Sequence, residues 1–494
     1  MTPKRIGLVS GAEFFHFNLA MAKEVKRRTG CEIVLYVNSA ESVRKQQKYV
    51  EQGYFDDIAD WDAFYRAVKE DIGDEESVFA RARTMEAFVD CTYNELMMMR
   101  RDVGHGFALA GFYHPRSPSA DALDYPHVVH GMTAALEFWR NEIESRNLDA
   151  IINGPKDAGV VARAMGVPYR FMYSTRFRNY HYWARDPAVE FPGLEGVYRA
   201  LGDRRREPVT LEQEYYAEIK SRAKAVGGDH LLRLIQRLIM HVNRRLYVLL
   251  KGYKSEKSYY FKDIVAFYLR HYRTIKKLRP PFTTPLSQLK GQKFVFLPLQ
   301  TDPEMSLQAL SPEYFSLHAM IASVARDLPA GVILAVKETV HALGRRPHDF
   351  YDQIRDFKNV VFIDVMDRGV EIVRHAEAVV TIASTSGLEA AMIGKPVILF
   401  GRHNVYQFVP HVQLVTREED LRPALKRALD GSIDRARAQQ DGARLRDALV
   451  DISFDLRGFN VFEPGSVDAA GVRDAVESLL ASLDEARENS RATA

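Results

Sequence analysis

Short β-type apolar runs alternate with helix-period segments along this chain, break off near residue 200, and restart after a proline-rich stretch near residue 286. Ile6–Ser10, Glu32–Val37, Asp149–Asn153 and Pro168–Tyr173 read as strands in the first series. Asn18–Arg28 and Lys156–Met165 read as helices between them, and residues 57–102 read as mostly helical, with Phe79, Ala82, Met85, Phe88 and Val89 at 3/4 spacing. The second series runs Lys293–Pro298, Gly331–Lys337, Val360–Ile363, Ala376–Ala383 and Pro396–Phe400 as strands. Its helices are Ser316–Leu328, Gly369–His375 and Leu388–Ile393. Strands alternating with helices specify a parallel sheet covered on both faces, and two such series specify an α/β chain of two Rossmann-like, doubly wound lobes. At 494 residues the chain exceeds what one core supports.

The expected division is 1–200, a first lobe; 201–285, a helical insertion and linker; 286–440, a second lobe; and 441–494, C-terminal helices with a frayed tail. Arg279-Pro280-Pro281-Phe282-Thr283-Thr284-Pro285 marks the linker, because three prolines remove donors and fix φ. The insertion is strongly basic, from Arg204 through Arg237, Arg244 and Arg245 to Lys277, with tyrosines and phenylalanines interleaved. Its favoured reading is a solvated basic face over an aromatic core face. The sharper alternative is a patch for anionic lipid head groups or an anionic glycan.

The net charge of +3 and the absence of a recognised motif argue against nucleic acid as partner. Cys31 and Cys91, the only cysteines, suit a reducing compartment. Met1–Arg5 leads into an apolar stretch too short for a signal-peptide core, and no apolar run reaches the roughly 18 residues that span a bilayer. The expected location is the cytoplasm, with peripheral attachment to the cytoplasmic membrane face left open.

In open parallel sheets ligands bind beyond the carboxyl ends of the strands, so the residues after each β-run are the candidates. Ser384-Thr385-Ser386-Gly387 follows the Ala376–Ala383 run and turns into a helix. Hydroxyls, a glycine and backbone N–H groups at a helix N-terminus form an anion site, although Ser386 with Glu389 also reads as a capping box. Lys337-Glu338 ends another strand; the lysine can meet a phosphate and the glutamate a sugar or ribose hydroxyl. His341, Arg345 and Arg346 add positive charge to that loop. Gln300 and Glu304 lie in the proline-stiffened loop after the first strand of the second lobe.

In the first lobe Glu13 and His16 follow the first strand and are the candidate general bases. Arg176 and Arg178 are candidates for an anionic acceptor or a donor carboxylate. Asp60-Trp61-Asp62, the only Asp-x-Asp triplet, reads as a helix cap rather than a metal site. No Gly-x-Gly-x-x-Gly or P-loop is present, which argues against a dinucleotide dehydrogenase or an ATPase.

Phe294 to about Val415, a quarter of the chain, resembles the capsule polysaccharide biosynthesis proteins, including the bacterial capsule Kdo transferases. The resemblance rests on the loop Pro298–Glu304, the lysine-ended strand at Lys337, the block Ser384–Gly401 and Tyr406. It implies a GT-B fold and a metal-independent glycosyltransferase with no cofactor beyond a nucleotide-sugar substrate. It implies a donor resembling CMP-Kdo, a UDP-sugar being the alternative, and a surface polysaccharide or glycolipid as acceptor. By the same resemblance Lys337 and Ser384–Gly387 hold the nucleotide phosphate, Glu389 faces the ribose, and the first lobe takes the acceptor. The chain departs from the pattern at Thr339-Val340, where such proteins commonly carry His-Pro. Two other readings are a sugar-nucleotide epimerase or hydrolase of the same shape, and a non-catalytic scaffold of a membrane-associated polysaccharide assembly.

Overall fold

In the computed structural model, residues 3–11, 13–97, 113–116, 123–189, 191, 193–211, 231–250, 259–301, 307, 311–314, 316–461 and 463–492 are described. They form two compact units. The first comprises Met1–Met97, Leu123–Val197 and Ala448–Ala494, and the second Met98–Ala122 with Tyr198–Asp447.

The first unit is built on a seven-stranded sheet. Its strands are β1 (Arg5–Val9), β2 (Glu32–Val37), β3 (Asp57–Asp60), β4 (Ala150–Ile152), β5 (Tyr169–Ser174), β6 (Tyr180–Ala184) and β13 (Phe454–Asp455), in the order β13-β6-β5-β4-β1-β2-β3. β1 to β5 run parallel, and β6 and β13 are added antiparallel at one edge. The five residues of β2 from Ile33 to Val37 are all buried, as expected of a strand covered on both faces. Residues 57–60, expected to be helical, instead pair with β2. The pattern Asp-Ile-Ala-Asp is too short to separate an edge strand from a helix by periodicity. Of the Asp60–Asp62 triplet, Asp62 stands at the N-cap of the short helix Ala63–Ala67, as expected, although its side chain makes no capping bond; Asp60 ends the strand and accepts from the Asp62 N–H at 2.9 Å.

Residues 448–494 return to this unit. The final helix, Ala469–Ala492, packs on the helix Phe15–Thr29. Trp183 Nε1 donates to the Ala475 carbonyl at 3.0 Å, and Arg170 Nε donates to Ser482 Oγ at 2.9 Å.

The second unit carries an all-parallel sheet of β7 (Phe294–Pro298), β8 (Ile333–Lys337), β9 (Val360–Phe362), β10 (Ala378–Thr381), β11 (Val397–Leu399) and β12 (Val412–Leu414). The order is β12-β11-β10-β7-β8-β9, so chain order reverses between β7 and β10. In the first unit the reversal lies between β1 and β4. Both are the doubly wound arrangement, with two Rossmann-like lobes in one chain. The prolyl run 279–285 lies along the edge of the second sheet, where the Thr284 N–H donates to the Phe362 carbonyl at 2.7 Å and Arg279 pairs with Asp364.

Two helices of the insertion are described, Leu231–Leu250 and Phe261–Lys277. The second is fixed on the loop after β8. Gly344 adopts φ +81°, and a Cβ there would lie 2.6 Å from the His271 backbone nitrogen. Arg270 Nε donates to the Gly344 carbonyl and its Nη2 to the Arg346 carbonyl at 3.1 and 2.8 Å. The first helix differs from the favoured expectation, because it turns apolar side chains to solvent: Leu232, Ile235, Ile239 and Leu246 are all exposed. Among the described residues no helix is long and apolar enough to cross a membrane.

Candidate functional site

The carboxyl edge of the second sheet carries a continuous hydrogen-bonded chain. It begins at Glu338, directly after β8. Glu338 Oε2 accepts from Arg346 Nε at 2.7 Å and from the Tyr351 hydroxyl at 2.8 Å, and Oε1 accepts from the Thr339 N–H at 2.8 Å. Glu338 and Arg346 are 1% and 2% exposed. Arg346 Nη2 donates onward to the Gln300 carbonyl in the loop after β7. Gln300 Nε2 donates to Thr381 Oγ1 at 3.1 Å, which crosses the point where strand order reverses.

Thr381 is the last residue of β10. Its Oγ1 donates to Ser384 Oγ at 2.8 Å and accepts from the Ser384 N–H at 3.1 Å. Ser384 Oγ in turn accepts from the Gly387 N–H at 3.3 Å. Ser384 is therefore the N-cap of the helix Thr385–Met392, a position the sequence reading gave to Ser386. The loop after β11 joins as well, since Asn404 Nδ2 donates to the Ile382 carbonyl at 2.7 Å and the Gly401 carbonyl at 2.8 Å. The carboxyl ends of β8, β7, β10 and β11 are thus tied in series.

With Gly387 N–H taken by the cap, helix geometry leaves the N–H groups of Thr385 and Ser386 without an intrahelical acceptor. Both residues are half-buried at the sheet edge. Gly387 is required by contact: a Cβ there would collide with the Tyr406 hydroxyl and lie 2.7 Å from Thr381 Cγ2. The helix start is thereby drawn tight against the strand and against Tyr406. Glu389 is buried within the same helix.

Lys337 closes β8 opposite Pro298 of β7 and donates from Nζ to the Glu338 carbonyl at 3.2 Å. Burial lowers its pKa from the ordinary lysine value, and the carboxylates of Glu338, Asp367 and Asp364 oppose that shift. A lysine ammonium at a strand end is a ready partner for an anion, whose charge would favour the protonated form.

Of the second-unit candidates, Gln300, Glu338, Ser384 and Gly387 belong to the one chain, Lys337 adjoins it, and Thr385 and Ser386 stand at its open end. Glu304 lies outside the described residues. Thr381 and Asn404, which complete the network, were not singled out in the sequence. A threonine ending an otherwise aliphatic strand was the available signal for Thr381.

The first unit has a parallel device at its own reversal point. Asn18 Nδ2 donates to Ser10 Oγ at 3.0 Å, and Asn153 Nδ2 donates to Asn18 Oδ1 at 3.4 Å, joining the ends of β1 and β4. Glu13 and His16 are exposed at that edge, His16 edge-on to Phe15. Arg176 and Arg178 occupy the β5–β6 turn at the same edge, with φ +63° and +47°. Left-handed backbone is unusual for arginine, and such strain concentrates at working sites. Arg176 Nη2 reaches the Tyr173 hydroxyl at 3.3 Å, and Arg178 lies over the Phe177 ring. Lys156, read only as a helix start, stands just after β4 with its pKa brought down to about 8 by burial, against the Glu95 and Asp186 carboxylates. Among the described residues no group of three or more His, Cys, Asp or Glu could hold a metal ion.

One comparison covers this edge directly. Residues 201–411 match the family described as capsule polysaccharide biosynthesis protein. The match takes in less than half of the chain, but it contains Gln300, Lys337, Glu338, Arg346, Thr381, Ser384–Gly387 and Asn404. No curated protein is a significant match. Among solved structures, a UDP-N-acetylglucosamine 2-epimerase from Rickettsia bellii shares 12% identity over 98% of this chain and 98% of that chain, at a TM-score of 0.30. A beta Kdo 2,4 transferase of Thermosulfurimonas dismutans shares 18% identity over 60% of this chain and 79% of that chain, at 0.29. Each likeness is remote.

Proposed function

We propose that this protein is a glycosyltransferase of surface polysaccharide assembly, which moves a sugar from a nucleotide-sugar donor to a glycan or glycolipid acceptor. The observation that carries the reading is the hydrogen-bonded chain Glu338–Arg346–Gln300–Thr381–Ser384, which fixes an open helix start at the reversal point of the second sheet. The capsule polysaccharide biosynthesis match over the same residues supports it.

In this reading the N–H groups of Thr385 and Ser386, with the helix dipole behind them, take the donor phosphates. Lys337 adds a point charge. As the glycosidic bond to the nucleotide breaks, negative charge grows on the leaving phosphate, and these fixed donors stabilise it without a metal ion. Glu338 holds the loop and Arg346 in place rather than meeting the ribose, since both its oxygens already accept from within the unit. Glu389, in the helix that starts at this edge, is the carboxylate assigned to the ribose. Glu13 or His16 takes the proton of the acceptor hydroxyl, and Arg176 and Arg178 meet an anionic acceptor. A CMP-Kdo-like donor is favoured, with a UDP-sugar as the alternative, and the reaction takes place in the cytoplasm.

The test is product formation from labelled CMP-Kdo and UDP-sugars, with and without a glycan acceptor. Label appearing in the glycan only when acceptor is present supports the proposal. Acceptor-independent conversion of the sugar nucleotide would replace it with the epimerase or hydrolase reading. Glu13→Gln and His16→Asn then locate the base, as the one that loses turnover while retaining nucleotide binding.

A further inference from the structure

Nine of the thirteen large apolar side chains exposed among the described residues belong to the single helix Leu231–Leu250. One face of that helix is already used. Leu234 is buried, and the helix Phe261–Lys277 is met by His241, whose Nε2 lies 2.9 Å from the Tyr268 hydroxyl, and by Arg245, 5.2 Å over the Phe261 ring. A second stripe, Leu232, Ile235, Ile239, Val242 and Leu246, is spaced 3-4-3-4 and therefore runs straight along one side. Its members are 73%, 43%, 53%, 39% and 52% exposed.

Charge decides what such a stripe fits. From Leu231 to Leu250 there are four arginines and no acidic residue. From Leu231 to Lys277 there are twelve lysines and arginines against Glu256 and Asp263. A second copy packed on the stripe would bring two uniformly basic segments together, with no acid on either helix to offset them. An anionic bilayer surface accepts both features: the apolar stripe enters the acyl boundary, while Arg237 and Arg244, two residues from its members and so on the opposite, polar face, are drawn by the negative charge of the surface. The helix is too polar to cross a membrane, which is the character of one that lies in the interface.

We infer that the helix Leu231–Leu250 docks the protein on an anionic lipid surface. The helix beside it, Phe261–Lys277, grips the loop after β8 through Arg270 and His271. The docking element is therefore fastened to the lobe proposed to hold the donor. The inference does not depend on that function.

Co-sedimentation of the full chain with vesicles tests it, using phosphatidylcholine alone and phosphatidylcholine mixed with phosphatidylglycerol. The wild type partitions onto the anionic vesicles at least tenfold more strongly than onto neutral ones, and raised salt weakens the binding. The variant Ile235→Ser/Ile239→Ser/Leu246→Ser loses it, with its circular dichroism unchanged. Arg244→Glu, exposed on the face opposite the stripe, weakens it by about twofold or more through lost attraction to the anionic surface. Failure of the wild type to sediment with anionic vesicles would overturn the inference, as would undiminished binding by the triple variant. A concentration-dependent dimer that the triple variant converts to monomer would reassign the stripe to a second copy.

Discussion

Gln300 Nε2 donates to Thr381 Oγ1 at 3.1 Å with both side chains out of solvent, and this bond locks the loop after β7 to the end of β10 where the sheet reverses. Thr381→Val keeps the shape and removes the acceptor. A buried amide N–H is then left unpaired, at a cost of about 1–3 kcal/mol. The expected result is a lower melting temperature together with a weaker response to nucleotide in a thermal-shift assay. Unchanged nucleotide binding would separate this bond from the site.

Gly387→Ala should fail for a different reason. The added methyl group meets the Tyr406 hydroxyl and Thr381 Cγ2, and overpacking of this kind costs about 1–3 kcal/mol. Tyr406→Phe in the same chain removes the atom struck first, so the double variant recovers part of the lost melting temperature. A double variant no better than Gly387→Ala would place the strain elsewhere.

Arg346→Met leaves the Glu338 carboxylate buried without its cation. Breaking such a pair on one side costs about 3–5 kcal/mol, whereas removing both charges costs less. Far-UV circular dichroism during urea unfolding should show a large loss for Arg346→Met and partial recovery on adding Glu338→Gln. Tryptophan fluorescence is the wrong probe, because Trp61, Trp139 and Trp183 all belong to the first unit.

The lowered pKa of Lys337 sets two opposite pH trends. Between that lowered value and the ordinary lysine range the unfolded chain binds more protons, so this residue's contribution to stability rises with pH across the window. Phosphate binding needs the ammonium, so nucleotide affinity falls over the same window. Titration calorimetry at stepped pH should show affinity declining before ordinary lysines titrate. Lys337→Arg should move the decline upward, and Lys337→Ala should remove it along with most of the binding.

Both lobes were legible in the sequence because buried parallel strands are long aliphatic runs, and β2 and the block Ala376–Gly401 are unambiguous on that ground. Strand β3 was missed because four residues at a sheet edge carry no period. The added strands β6 and β13 were missed because their pairing is set by residues far apart in sequence, such as Phe454 with His181. The candidate site was half legible. Ser384, Gly387, Gln300 and Lys337 stood out as unusual residues after strands. Their connection through Thr381 and Arg346 depends on loop geometry that no local pattern encodes. The cap assignment shifted from Ser386 to Ser384 because two serines two residues apart satisfy the same rule, and only the backbone decides between them.

The central claim is that the Lys337 and Ser384–Gly387 edge holds nucleotide phosphate. The most direct measurement is a thermal-shift panel of CMP, UDP, GDP and ADP on the wild type and on Lys337→Ala. Ligand that binds only the folded state raises its melting temperature with concentration. The account predicts that one nucleotide, CMP before UDP, stabilises the wild type and that Lys337→Ala loses this shift while melting cooperatively. No stabilisation by any of the four, or an equal shift in the variant, would contradict it.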